Sequence, residues 1–112
     1  MIPDKVKIGP FDFKIFWYDY VEGILGQCCY TDQILKISKN RKRQAVAQTL
    51  IHEIIHGINV YYGVENTKDG MAKEENIVDG VAYGWAAFVR DNPEFIIFLN
   101  DLLLNNPGGD FA

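Results

Sequence analysis

Apolar and polar positions change period once along this chain, near residue 41. Before that point, short apolar runs are punctuated by turn residues. Val6 to Ile8, the Gly9-Pro10 turn and Phe11 to Tyr18 predict a hairpin rich in aromatic and β-branched residues. A loop with Gly23 and Gly26 follows, then Gln27 to Tyr30 and Ile34 to Ile37 around Thr31-Asp32-Gln33. The last run, with Lys36 among Ile34, Leu35 and Ile37, reads as a short strand at a sheet edge.

From about Arg41 the apolar repeat becomes helical. Ser38 or Asn40 can cap a helix that runs to about Tyr62 and stops at Gly63. Its middle is apolar nearly all round (Leu50, Ile51, Ile54, Ile55, Ile58), which predicts a buried central helix. Residues 65–70 read as a polar loop. A second helix is expected from about Ala72 to Arg90, with Val78, Val81, Ala82, Trp85 and Val89 at helical spacing. Asp91-Asn92-Pro93 breaks it, with Asn92 as a cap and Pro93 at the first position of a third helix to Leu104. That helix, from Phe95 to Leu103, reads as a core or dimer element. The expected fold class is α+β, a small N-terminal antiparallel sheet followed by three helices. Residues 1–104 make one domain and 105–112 an irregular or disordered C-terminal tail.

At 112 residues, 48% hydrophobic and 23% charged, the chain suits one folded domain. A net charge of −4 argues against nucleic acid as the main partner. The basic cluster Lys36, Lys39, Arg41, Lys42 and Arg43 contains no groove-reading motif and reads as a solvated face, although cations oppose the dipole at a helix N-terminus. With neither a secretory h-region nor a membrane-length run, a cytoplasmic location and no membrane partner are expected. Cys28 and Cys29 are adjacent, which suits free packing thiols; the sharper alternative is a thiol approaching a metal.

The candidate chemistry lies in the first helix. The only two histidines of the sequence are four residues apart around a glutamate: His52-Glu53-Ile54-Ile55-His56. Positions i and i+4 share a helix face, so both imidazoles can reach one metal ion, and Glu53 can hold a water beside it. This H-E-x-x-H pattern is the signature of zinc metallopeptidases, and Zn2+ is the expected cofactor. Catalytic zinc takes a third protein ligand. Asn59 and Tyr62 stand where a metzincin needs Gly and His, so that class is excluded. The best candidate is Glu75, because Asp79 at i+4 can orient a ligating imidazole from behind. Glu74 is the rival, with an acidic first helical turn as its simpler explanation.

With these two motifs, His52-Glu53-Ile54-Ile55-His56 and Glu75-Asn76-Ile77-Val78-Asp79, the chain resembles the gluzincin metallopeptidases. More narrowly it looks like their short phage and prophage forms, related to the ImmA/IrrE-like group. The resemblance spans about Ile34 to Pro93. It departs in having Asp79 with Val81-Ala82, where that group more often shows Asn with Phe-Ala. The resemblance implies a minimal zincin-like domain that hydrolyses a protein or peptide substrate, with Glu53 as general base. Tyr61, Tyr62, Tyr83 and Tyr30 are candidate oxyanion donors, and an edge strand near Ile34 to Ile37 a candidate partner for an extended substrate. The competing reading is a phage regulator that holds zinc and docks on a partner protein without useful turnover.

Overall fold

The computed structural model describes residues 2–20, 22–63 and 73–112, with side chains from residue 76 onward in the last segment. The expected polar loop at 65–70 and the side chains of Glu74 and Glu75 lie outside the described residues. Four strands, β1 (Lys5–Ile8), β2 (Phe11–Tyr18), β3 (Gly26–Cys29) and β4 (Ile34–Ser38), precede three helices, α1 (Arg43–Tyr62), α2 (Lys73–Asp91) and α3 (Pro93–Leu104). The fold is α+β, as the change of period predicts.

The strands alternate as half-buried strands should. Val6 and Ile8 of β1, Phe13 and Ile15 of β2, and Leu35 and Ile37 of β4 are buried, while Lys5, Lys7, Lys14 and Lys36 are exposed. α1 packs against β1, β3 and β4, and its Val46, Leu50, Ile54 and Ile58 complete the core. Burying each such side chain contributes about 1.5–3 kcal/mol before conformational entropy is charged against it.

The sheet order corrects two expectations. The order is β1-β2-β4-β3, and β2 pairs with β4 in parallel, from Lys14 opposite Ile34 to Tyr18 opposite Ser38. The sheet is therefore mixed rather than antiparallel. The chain passes outward from β2 to β3, turns, and returns as β4 between them. β4 is thus an inner strand, and β3 is the edge beside α1. Lys36 marked an exposed face of the strand, not an exposed edge.

The caps differ as well. The position before α1 is Lys42, whose side chain makes no cap bond; Ser38 is the buried last residue of β4 and Asn40 is exposed. The orphan N–H groups of Arg43 and Gln44 donate instead to the carbonyls of Gly109 (2.9 Å) and Pro107 (3.0 Å). The C-terminal segment has no helix or long strand, yet it is tied down. Phe111 N–H donates to Arg41 O, and the Phe111 ring stacks on Trp17 at 5.2 Å and meets Phe98 edge-on.

Asn92 sits at the N-cap of α3 without capping it. Its Nδ2 donates to Lys7 O (2.8 Å) and Phe88 O (2.9 Å), and its Oδ1 accepts from Lys7 N–H (2.8 Å). The carboxamide therefore satisfies both backbone groups that Lys7 presents at the free edge of β1. Gly84 lets α2 approach α1, since a Cβ there would lie 2.3 Å from Ile58 Cγ2.

Candidate metal centre

His52, Glu53 and His56 lie midway along α1 and come together as their spacing predicts. One ligand atom from each lies within 4.8 Å of the others, so the group could hold a metal ion. The two Nε2 atoms are 3.1 Å apart, close enough for one imidazole to donate to the other. Nitrogens at two corners of a tetrahedral zinc site, each at about 2.0–2.1 Å from the ion, stand about 3.3–3.4 Å apart. A small ring rotation brings this pair to that separation. The donor set fits a divalent ion; the identity of the metal is not fixed by it.

Burial divides the three side chains. The His52 side chain is 64% exposed, whereas that of Glu53 is only 9% exposed. The central helix is therefore not buried all round: both histidines stand on an accessible face, and of the three only Glu53 is enclosed. Its Oε2 lies 4.0 Å from His52 Nε2, and among the described residues no donor hydrogen-bonds to its carboxylate. Its carboxylate still faces the cleft described next, where a cation or a water can meet it.

A cleft of about 290 Å³ opens beside this group. Gly23, Leu25 and Gly26 line one wall; Gln48, Thr49, His52 and Glu53 line the other. Gly26 allows the walls to meet at its base, since a Cβ there would lie 2.5 Å from Thr49 Cγ2 and 3.2 Å from Glu53 Oε2. The sequence reading assigned none of Gln48, Thr49 or Leu25 to the site. Gln48 and Thr49 precede His52 by four and three positions, so helical spacing alone could have found them.

Arg41 lies behind the cleft. Its Nη2 donates to Thr49 Oγ1 at 2.8 Å, to Ser38 O at 3.4 Å and, at a longer 3.5 Å, to Leu25 O. Burial lowers its pKa, with Tyr18 and Tyr20 acting against that shift. The Tyr18 hydroxyl donates to Ile24 O at 3.1 Å, and burial raises its pKa.

The remaining candidates lie elsewhere. Asp79 is exposed on α2, outside the cluster formed by the histidines. Tyr61 packs against Phe11 and Phe13 with ring centroids at 5.5 and 6.2 Å, about half a helical turn round α1 from His52. Tyr62 pairs with Tyr83 at 6.1 Å, and Tyr30 is exposed. None of the four lines the cleft. Cys28 faces α1, and burial, then Glu53, then Cys29 push its thiol up to about 11. The basic cluster is largely engaged internally: Lys39 with Asp19 (3.8 Å), Lys42 with Asp110 (2.7 Å), Arg43 with Asp101 (2.6 Å) and Arg41 as above. Among the described residues no helix is long and apolar enough to cross a membrane.

No protein-family model, curated protein or solved structure matches this chain.

Proposed function

We propose that this protein is a zinc-dependent metallopeptidase of gluzincin type. The observation that carries the reading is the contrast at one helix turn: two accessible imidazoles with Nε2 atoms 3.1 Å apart, beside a buried carboxylate that no described donor satisfies. His52 and His56 would hold the ion, with Glu75 as the proposed third ligand. When bound, zinc supplies Lewis acidity that lowers the pKa of water toward about 7 and polarises a carbonyl.

Within that frame Glu53 has a defined task. Its Oε2 accepts a proton from water as the water oxygen bonds to the peptide carbonyl carbon. The same proton passes to the leaving nitrogen as the C–N bond breaks, giving a carboxylic acid and an amine, which at neutral pH become a carboxylate and an ammonium by transfer of the acid proton. An extended substrate would pair with β3, the edge strand at the cleft, rather than with the inner strand β4.

Glu53→Gln tests the assignment. The variant should bind zinc with wild-type stoichiometry and lose about 10²–10⁴-fold in peptide hydrolysis. Cleavage at the wild-type rate would remove Glu53 as the base. One observation favours a second reading, a metal-holding protein that docks on a partner without turnover: no tyrosine candidate reaches the cleft lining. Zinc binding with no cleavage of a mixed peptide library by the wild type would support that reading instead.

A further inference from the structure

Arg41 is a cation whose acceptors are all neutral oxygens from three different segments. Thr49 Oγ1 belongs to α1, Ser38 O to the end of β4, and Leu25 O to the loop leading into β3. Among the described residues it pairs with no carboxylate, and its Nε is buried without a partner. The residue sits two positions before α1, where the helix dipole disfavours positive charge. A half-buried guanidinium in such a place is costly, and no ion pair offsets the cost. What the planar fork does achieve is geometric, since one rigid group spans three segments of the chain.

Two of those acceptors belong to residues on opposite walls of the cleft, Leu25 on the strand side and Thr49 on the helix side. Leu25 O also accepts from Ser38 N–H at 3.0 Å, and Tyr18 holds the neighbouring Ile24 O. The loop before β3 is thus held by the Tyr18 and Arg41 side chains and by the backbone N–H of Ser38. Gly26 continues from it directly onto Thr49 and Glu53. From this arrangement we infer that Arg41 is a positioning residue: it straps the loop before β3 to α1 and so sets the width of the cleft above Glu53. The consequence for substrate rests on the peptidase reading; the strap itself does not.

Arg41→Met and Arg41→Lys, each with and without Thr49→Val, test this by amide exchange and kinetics. Arg41→Met should speed exchange about 10-fold at residues 22–29 and Ser38, the size expected for losing one charge-assisted hydrogen bond, while the centre of α1 keeps its protection. Arg41→Lys should restore part of it. Thr49→Val should add less to Arg41→Met than it does to the wild type, because both act on one contact. In peptide cleavage KM should rise about 10-fold with kcat within about twofold, since the wall positions substrate and leaves the ion and Glu53 in place. Unchanged exchange at residues 22–29, or equal acceleration throughout the chain, would overturn the strap. If the wild type cleaves no peptide, the peptidase reading fails while the exchange data still decide the strap.

Discussion

Asn92 and Cys28 show how single side chains carry consequences beyond their own segments. Asn92 makes three hydrogen bonds to backbone atoms of β1 and α2. Asn92→Ala should leave the Lys7 groups and Phe88 O without this partner and cost about 1–3 kcal/mol in urea denaturation. Asn92→Asp should be no milder, because it turns a donor toward two carbonyls into an acceptor. The Cys28 thiol is held near 11 against an ordinary 9.0. The native fold therefore binds the thiol proton more tightly than the unfolded chain does. That contribution is complete below about pH 9 and is lost as pH rises through about 11. Cys28→Ala should flatten the alkaline decline of the urea midpoint between those values. Parallel declines in both proteins would assign it to other groups.

Element boundaries were legible because they depend on local period. Predicted β2 and α3 match their observed limits, and α1 begins two residues later than Arg41. Sheet order was not legible. Alternation reports which face of a strand is buried and says nothing of its place in the sheet, so β4 passed for an edge. The cap of α1 was hidden for another reason: its acceptors come from residues 107 and 109 rather than from a neighbouring side chain. At the candidate metal centre, spacing sufficed to bring His52, Glu53 and His56 together. The opposite wall of the cleft, Gly23 to Gly26, could not be found because only the sheet order brings it there. Two element-scale predictions follow from close approach. Gly84→Leu should push α2 from Ile58 and cost about 1–3 kcal/mol or more. Removal of residues 107–112 should expose the first N–H groups of α1 and the Trp17 ring, and lower the urea midpoint at unchanged slope.

For the whole molecule, metal binding and folding are linked if only the native chain brings the imidazoles together. Zinc at 100 times its dissociation constant should then stabilise the wild type by about 2.7 kcal/mol. His52→Ala and His56→Ala should each abolish most of that gain while folding normally without metal, since both side chains are exposed. A scan of melting temperature against zinc concentration reads this directly. An equal gain in either alanine variant would place the ion elsewhere.

The carbonyls of Pro107 and Gly109 also impose an order in time. A ribosome makes α1 before it makes the residues that satisfy the first amides of that helix. Until residues 107–111 emerge and reach back, the first amides of the histidine helix lack these acceptors.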